Sequence, residues 1–483
     1  MKKTPWGKLS LIFLLSFVLF YPSLKFFFTH DDFFLLKISR ASNFGQFLNF
    51  FNIIAAPEGL GMYRPLSMQT FYMLGINVFN LNPFWLHVIS FLTFFLLTYL
   101  VFKFVEKITK SQEIALISSL LYATSATHFS HLYFLGVYQE LLMAVFVLAS
   151  LIYYIKFLRK GDLKDYVWVL VFFVLGVLSK ENALVLPLML VVTLFYYLKK
   201  KVVNKSSVKR QLLYLLPMFL MGVLYMYLRV NYYGLPQGDS YVWDFSFRFI
   251  NSGFWYLLWS FNIPEMFVDF VGPGINVNPN LIRYWGAQTW WIFSLFAVFL
   301  MGLLITLVKS FKKIRKDYMT IVYFVLWFIL FLLPFIFLPL HKFTYYLTLP
   351  LVGVVVLVST ILEIGIKTKI IKYGLLLCWI ALSVVTLNLT KSTHWITRGS
   401  ETAKRVHEYF IADNNTTTDV VFYDTKDDNS LPWSPTEVIK TTLSDDDYFL
   451  VFQPRVSRVK YLPMKENEAE DILYLESRQF IGY

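Results

Sequence analysis

The stretch WIFSLFAVFLMGLLITLV, residues 291–308, runs for eighteen residues without a charge. About 20 consecutive apolar residues cross the hydrocarbon core of a bilayer as a helix. Comparable apolar blocks lie at 9–20, 84–101 and 141–155. Of the 483 residues, 57% are hydrophobic and 16% are charged, whereas a soluble protein carries about 25% charged residues. The sequence therefore predicts an all-α polytopic membrane protein.

The formal net charge of +13 is carried by lysines and arginines in short segments between the apolar blocks. Five such clusters lie at 103–110, 156–164, 199–210, 309–316 and 367–372. This arrangement is typical of cytoplasmic loops under the positive-inside rule, so no nucleic-acid partner is needed to explain the charge. The single cysteine, Cys378, excludes an intrachain disulfide and a metal site built on cysteines.

Eleven spans are predicted when the basic clusters and the amino terminus face the cytoplasm of a multi-pass plasma-membrane protein. They lie near 9–28, 84–102, 113–129, 133–155, 166–179, 183–198, 211–230, 288–308, 318–338, 344–362 and 370–389. Models with 10 to 12 spans fit almost as well. The first apolar block is interpreted as a retained span, because no small-residue cleavage site follows it. Two long loops, at about 29–83 and 231–287, are then extracytoplasmic.

Two domains are predicted from the change in composition near residue 390. Residues 1–390 form the transmembrane domain, and the polar residues 391–483 form a small extracytoplasmic α/β domain. In that domain ETAKRVHEYF (401–410) and SPTEVIKTTL (434–443) are typical of helices. DVVFYDT (419–425) and YFLVF (448–452) are typical of strands.

Several polar residues are expected to lie at the outer membrane face under this topology. They are Asp31, Asp32, Arg64, His128, His131, Gln139, Glu140, Lys180, Glu181, His341 and Lys342. A carboxylate in apolar surroundings with cations in reach suits a general base. Arginine or lysine beside it suits a phosphate or pyrophosphate leaving group. Since the sequence has no glycine-rich phosphate loop, the pattern indicates transfer from a lipid-phosphate donor.

Each of these residues also has a purely structural interpretation. Asp31 and Asp32 could be solvated acids at a helix end, and Arg64 could be an interface anchor. Lys180 and Glu181 could pair with each other in a tight turn. The two histidines at 128 and 131 could be interface residues with satisfied ring nitrogens. His341 and Lys342 could simply end a span, and the aromatic residues of the second long loop could be membrane anchors.

An ordered series of motifs resembles the integral-membrane glycosyltransferases with the GT-C fold, and most closely the protein O-mannosyltransferase branch, its tetratricopeptide-containing relatives and the aminoarabinose-transferase-like superfamily. The series covers roughly residues 25–350. It consists of HDD (30–32), YRPLSMQTFYMLGINVFNLNPFWLHVISFL (63–92), LLYATSATHFSHLYFLGVYQELL (120–142), LGVLSKENALVLPLML (175–190) and HKFTYYLTLPLVG (341–353). The tetratricopeptide repeats of those relatives are absent from this sequence.

The sequence departs from the family pattern at three places. Ser125 and Ala126 stand where the family has a proline and a first histidine, while His128 aligns with the last histidine of that segment. Tyr138 replaces an arginine that often precedes Gln139. A third departure is the pair Phe343 and Thr344, where arginine and tyrosine are usual. The donor contacts are therefore expected to differ from those of the family.

The resemblance implies roles for individual residues. Asp31 would be the base on the acceptor hydroxyl, and Asp32 would position the acceptor. Arg64, together with Lys180 or Lys342, would hold the donor phosphate. Other substrate-binding residues would be Tyr63, His128, Glu140, Glu181 and His341, whereas His87 would be structural. Some relatives use a divalent metal, so Mg or Mn bound by Asp31, Asp32 and Glu58 is conceivable, although no cofactor and no metal ligand is assigned.

The leading hypothesis is an inverting glycosyltransferase that moves a sugar from a polyprenyl-phosphate donor to a hydroxyl acceptor on the outer face of the cytoplasmic membrane. The acceptor is a protein serine or threonine, a lipid or a cell-envelope glycan. A transporter or flippase of a lipid-linked sugar is the alternative, and a structural or sensor protein is a third. Transporters usually place polar groups at mid-membrane between repeated halves, and no such repeat is visible in this sequence.

Overall fold

The computed structural model describes residues 4–55, 61–234, 238, 240–272, 276–412, 419–465 and 472–482. The described chain is mainly helical, which confirms the predicted all-α class. Its helices are α1 (Trp6–Phe20), α2 (Asp31–Ile38), α3 (Phe44–Asn49), α4 (Phe71–Asn77), α5 (Pro83–Thr109), α6 (Gln112–Ala123), α7 (Phe129–Tyr133), α8 (Tyr138–Lys160), α9 (Leu163–Ser179), α10 (Leu186–Lys199), α11 (Val208–Tyr233), α12 (Arg248–Trp259), α13 (Asn280–Ile314), α14 (Tyr318–Ile336), α15 (Pro350–Gly365), α16 (Lys369–Thr393), α17 (Trp395–Ala412), α18 (Pro435–Leu443) and α19 (Asp447–Phe452).

Eleven of these helices occupy the positions of the eleven predicted spans: α1, α5, α6, α8, α9, α10, α11, α13, α14, α15 and α16. Seven stretches of the described chain are long and apolar enough to cross a membrane, and one of them, Asn280–Ile336, contains both α13 and α14. Helix α6 has 12 residues and α15 has 16, which is shorter than the roughly 20 residues of a typical span. The protein is thus a multi-pass membrane protein, while the count of eleven spans stays a prediction.

The basic ends of the long helices meet at one end of the bundle. Arg159, near the end of α8, donates a 3.2 Å hydrogen bond to the Lys107 carbonyl near the end of α5. Lys200, just after α10, forms a 2.7 Å ion pair with Asp317, just before α14. Helix α8 has 23 residues and is therefore about 34 Å long, so its first turn lies at the opposite end of the bundle. The candidate site is built at that opposite end.

Local sequence signals explain where α5, α8 and α9 begin and end. The Asn82 side chain caps α5, whose first residue is Pro83, and Asp162 caps α9. Proline suits the first turn of a helix because the amide it lacks has no intrahelical partner there. Gly161 follows the last residue of α8 and caps the helix, and its φ of 73° favours glycine.

Both long loops carry secondary structure of their own. The first contains α2, α3, α4 and a π-helical turn, Pro65–Thr70, that leads into α4. The second contains α12 and a short antiparallel hairpin of strands β1 (Val271–Gly272) and β2 (Asn276–Val277). These elements pack over the end of the bundle that lies away from the basic clusters.

The carboxy-terminal region combines α17, α18 and α19 with a parallel sheet. Its strands are β3 (Asp419–Tyr423), β4 (Arg458–Leu462) and β5 (Ile472–Glu476), in the order β4-β3-β5. The predicted helices and the first predicted strand are present. The predicted strand YFLVF was wrong, because residues 447–452 form α19. Five consecutive apolar residues fit a buried strand and a buried helical turn equally well, and here the packing of Tyr448 on Phe33 decides.

Candidate active site

Asp31 and Asp32 are the last two residues of a strained turn, 29–32, at which α2 begins. His30 has φ 51° and ψ −128°, the conformation of the first central residue of a type II′ turn, which glycine adopts most easily. The Asp32 amide closes this turn with a 3.1 Å hydrogen bond to the Thr29 carbonyl. The two acids differ in their access to solvent, because Asp31 is exposed and Asp32 is 1% exposed.

Asp32 is fixed by hydrogen bonds on both of its carboxylate oxygens. Oδ2 accepts a 2.9 Å bond from the Thr29 amide, and Oδ1 accepts the Tyr72 hydroxyl. The Gly136 amide, just before α8, is a further donor. Burial raises the pKa of Asp32 to about 7, although these donors oppose the shift. Asp32 therefore ties the turn to α4 and to the start of α8.

This raised pKa of Asp32 predicts a pH-dependent stability. Between about pH 4 and pH 7 the folded chain holds a proton on Asp32 that the unfolded chain has lost. This proton stabilises the folded chain by at most about 4 kcal/mol. The stabilisation is complete below about pH 4 and is lost progressively as the pH rises to about 7. We expect the melting temperature in detergent to fall from about pH 5 to about pH 8, and to fall less in Asp32→Asn. The exposed Asp427→Asn is the control, and an equally steep curve for Asp32→Asn would contradict the assignment.

Asp31 is exposed and lies within electrostatic reach of Tyr241 in the second long loop. The carboxylate is open to solvent on one side, while the protein around it raises the pKa of Asp31 above its usual value. Tyr241 of the loop packs against His341, with ring centroids 4.0 Å apart and the ring planes tilted by 33°. Burial raises the pKa of Tyr241, Arg64 lowers it, and Asp31 raises it. Tyr241 is therefore within electrostatic reach of both Asp31 and Arg64.

Two ion pairs lie near Tyr241 and His341, and each joins residues that are distant in the sequence. Arg64 binds Glu181 with two parallel hydrogen bonds, one of them 2.7 Å from Nε to Oε2. Arg64 Nη1 also donates to Gln139 Oε1 at 2.6 Å. Lys180 pairs with Glu140. The alternative in which Lys180 and Glu181 pair with each other is therefore wrong.

The two ion pairs differ in their access to solvent. Glu181 is 26% exposed and Arg64 is 6% exposed, whereas the Lys180 and Glu140 side chains are 3% and 1% exposed. The Lys180 ammonium also lies 4.8 Å from the centroid of the Tyr346 ring. The Arg64–Glu181 pair is thus partly open to solvent, and the Lys180–Glu140 pair is enclosed by protein.

The structure places His341 at this cluster and Lys342 beside the second long loop. His341 Nδ1 lies 3.1 Å from Ser240 Oγ. Burial, together with the positive charges of Lys180 and Arg64, lowers the pKa of His341 to about 4. The Lys342 ammonium donates a 3.3 Å hydrogen bond to Asn251 of α12. His341 is hence part of the cluster, and its partner Ser240 comes from the loop above it.

The other predicted residues lie inside the packed protein. The Tyr63 hydroxyl donates a 2.8 Å hydrogen bond to the Phe51 carbonyl. His128 is fully buried, with its ring 4.8 Å from Phe94 and 4.5 Å from Tyr122 between centroids. His87 is buried and contacts the Leu132 carbonyl at 2.9 Å, in keeping with a structural role. In this conformation Tyr63 and His128 are packing residues, and substrate contact by either stays a prediction.

Sequence analysis missed Tyr241 and also a buried pair formed by Glu265 and His394. Glu265 Oε2 accepts two 2.6 Å hydrogen bonds from Thr344, and Oε1 lies 3.4 Å from His394 Nε2. These residues line a cavity of about 10 Å³, which has room for a single water. Glu265 is an isolated acid in a long loop, so its spacing offers no local signal.

The described residues offer no obvious place for a divalent metal. They contain no group of three or more His, Cys, Asp or Glu side chains arranged to hold one. Both oxygens of Asp32 are already occupied, and Glu58 lies outside the described residues. A metal at this site stays a prediction, and no chemical step is derived from it.

Comparison with known proteins bears on the segment that carries both ion pairs. Residues 64–227 match the family model described as dolichyl-phosphate-mannose-protein mannosyltransferase. A solved structure that resembles the chain is the Archaeoglobus fulgidus oligosaccharyltransferase tethered with an acceptor peptide containing the NVT sequon, at 13% identity and a TM-score of 0.45. That alignment covers 95% of this chain and 64% of the archaeal chain. No curated protein matches the sequence. The match over residues 64–227 confirms that this membrane protein resembles the mannosyltransferase family of glycosyltransferases.

Proposed function

We propose that the protein is an inverting glycosyltransferase that moves a sugar from a polyprenyl-phosphate donor to a hydroxyl acceptor outside the cytoplasm. One observation carries this proposal. Tyr241 lies within electrostatic reach of both the exposed Asp31 carboxylate and the Arg64–Glu181 pair, at the end of the bundle opposite the basic clusters. The segment that supplies Arg64 and Glu181 is similar to dolichyl-phosphate-mannose-protein mannosyltransferases, which suggests a lipid-linked sugar as the donor.

The proposed reaction is a single displacement at the anomeric carbon of the donor sugar. Asp31 accepts the proton of the acceptor hydroxyl while its oxygen forms the new glycosidic bond. The bond between the sugar and the donor phosphate breaks, and polyprenyl phosphate leaves with the electron pair. One general base and no enzyme nucleophile produce inversion. A raised pKa suits Asp31 for this task, because a stronger base takes up the proton more readily.

Arg64 is assigned to the leaving phosphate in this mechanism. Glu181 and Gln139 use three of its five N–H groups and fix the plane of the guanidinium. The remaining N–H groups are then preoriented donors for phosphate oxygens. The Glu140–Lys180 pair beneath adds no net charge, so the phosphate is held mainly by directed hydrogen bonds.

Arg64→Ala is expected to raise the KM for the lipid donor by about 10- to 100-fold, since hydrogen bonds to charged groups contribute about 1.5–3 kcal/mol. Initial rates against donor concentration measure this change. Because the single variant also leaves Glu181 unpaired, Arg64→Ala/Glu181→Gln is the matched control. A raised KM in both variants supports direct binding, and an unchanged KM in either would remove Arg64 from the phosphate site.

The overall proposal is tested with purified protein, radiolabelled polyprenyl-phosphate hexoses and a mixed extract of membrane lipids, envelope glycans and proteins. We expect label to move to one class of acceptor, which would also identify the acceptor. If no hexose donor supports transfer, the proposal is overturned. Flipping of the same lipid-linked sugars in liposomes would then test the transporter alternative.

The same topology suggests the partners and location of the protein. Basic clusters at the far end of the bundle favour an active site on the outer face of the cytoplasmic membrane. The carboxy-terminal region then lies outside the cytoplasm as well. The partners would be a lipid-linked sugar and a protein, lipid or glycan acceptor, with membrane lipids around the bundle.

A further inference from the structure

We infer that the carboxy-terminal region positions the catalytic carboxylate, because it holds the strained turn at His30 that sets the direction of Asp31. This inference rests on the proposed function for its catalytic meaning. Its structural part concerns only how α17, α18 and α19 contact the start of α2. These contacts surround His30, the residue of the turn whose backbone angles are strained.

The backbone on both sides of Thr29 is bound to the carboxy-terminal region. The His30 amide donates a 2.8 Å hydrogen bond to the Thr442 carbonyl in α18. The Phe27 amide donates a 2.8 Å hydrogen bond to Ser400 Oγ in α17. Trp395, the first residue of α17, packs edge-on against the His30 ring at 4.8 Å. Helices that are far away in sequence therefore hold the turn directly.

Gly399 allows α17 to approach this turn closely. A Cβ at position 399 would overlap His30 Cε1 and lie 2.6 Å from Thr29 Oγ1. These two side chains also contact each other, with Thr29 Oγ1 2.8 Å from His30 Nδ1. The contact surface therefore has no room for a methyl group unless the side chains of the turn, His30 and Thr29, move.

Helix α2 is also held along its length by α19. Phe33 packs edge-on against Tyr448 at 5.3 Å. Lys37 pairs with Asp447, and Arg40 Nη2 donates a 2.8 Å hydrogen bond to the Leu450 carbonyl. The start of α2 and its last turn are both fixed, so Asp31 is placed on a supported helix.

The energetics of the turn explain why such support is needed. A residue other than glycine is strained at the backbone angles of His30 and persists there only when the surroundings impose them. Asp31 is the next residue, so relaxation of His30 would swing its carboxylate. Asp32 secures the far side of the turn, and the contacts on His30 itself come from the carboxy-terminal region.

The test compares Gly399→Ala with Gly374→Ala. Gly374 lies in the neighbouring helix α16, and a Cβ there would meet nothing within 4 Å. Alanine favours a helix interior, so without a positioning role Gly399→Ala should be neutral or stabilising. We expect Gly399→Ala alone to lower kcat by about 10²-fold, the effect of misplacing a catalytic group by about 1 Å. The KM for the donor should stay unchanged, since Arg64 and Glu181 are untouched.

Two double variants distinguish a loss of positioning by the turn from a simple steric clash with the His30 ring. Glycine at position 30 removes the imidazole ring and adopts the turn angles without strain, whereas alanine removes only the ring. We expect Gly399→Ala/His30→Gly to recover most of the lost kcat, and Gly399→Ala/His30→Ala to recover clearly less. Equal recovery by the two double variants would overturn the inference and leave a steric clash as the explanation.

Amide hydrogen exchange of residues 27–33 gives a readout that needs no substrate. Gly399→Ala should accelerate exchange there relative to the wild type and Gly374→Ala, because the turn opens more often. Unchanged exchange would overturn the inference even if the enzyme is active. Accelerated exchange in Gly399→Ala would support the hold on the turn even if the wild type transfers no sugar. The absence of transfer by the wild type would then refute the proposed function alone.

Discussion

Replacing Asp31 with asparagine is expected to lower kcat by about 10²- to 10⁴-fold, the usual contribution of a general base. Asparagine has nearly the same size, and the Asp31 side chain is exposed, so packing should not change. The carboxamide cannot accept the proton of the acceptor hydroxyl. The measurement is the initial rate at saturating lipid donor, with the melting temperature in detergent as evidence of folding.

Asp31→Glu and Asp427→Asn are the matched controls for this prediction. Glutamate retains a base and should keep part of the activity, and the exposed Asp427 should have no effect. Because the pKa of Asp31 is raised above the ordinary value of 3.8, kcat of the wild type should fall on acidification at a higher pH than for a normal aspartate. Full activity in Asp31→Asn would refute the mechanism.

Replacing Lys180 with methionine is expected to produce the largest loss of stability, about 3–5 kcal/mol. Lys180 and Glu140 are both almost fully buried and pair with each other. Methionine fills a similar volume but leaves the Glu140 carboxylate without its cation. Thermal unfolding in detergent and the yield of folded protein measure the loss.

The double variant Lys180→Met/Glu140→Gln is the control for that loss. Neutral partners of similar volume remove the unpaired charge, so most of the stability should return. The comparison variant Glu181→Gln should cost less, because Glu181 is 26% exposed. A Lys180→Met protein as stable as the wild type would show that the buried pair does not hold α8 and the loop before α10 together.

The positions of the spans were predictable because the length of an apolar block is a local property of the sequence. The eleven predicted segments coincide with helices, although α6 and α15 are shorter than a typical span, and the polar change near residue 390 precedes α17. The strand predicted at 448–452 failed because a short apolar run specifies burial without specifying a backbone conformation. Strands β4 and β5 were not predicted.

The motifs identified the residue types of the site but not their pairing. Arg64 and Glu181 are 117 positions apart, and Lys180 and Glu140 are 40 apart. Neighbours in the SKEN segment therefore bind different partners, an arrangement that depends on how α8, α9 and the first loop pack. Tyr241 and Glu265 were missed for the same reason, since each meets its partners, His341 and His394, only through the fold of the second long loop.

From its sequence alone the chain could be recognised as a multi-pass membrane protein with paired acids after its first span and a family-like series of motifs. Apolar length, charge placement and motif order are properties of the sequence and can be read without a structure. Only the tertiary structure shows which acid is available, because adjacent helical residues point about 100° apart and packing selects the buried one. Tyr72 and Gly136 bury Asp32, whereas α17 and α18 hold the turn that leaves Asp31 exposed. These contacts join distant parts of the chain, and only the folded packing brings them together.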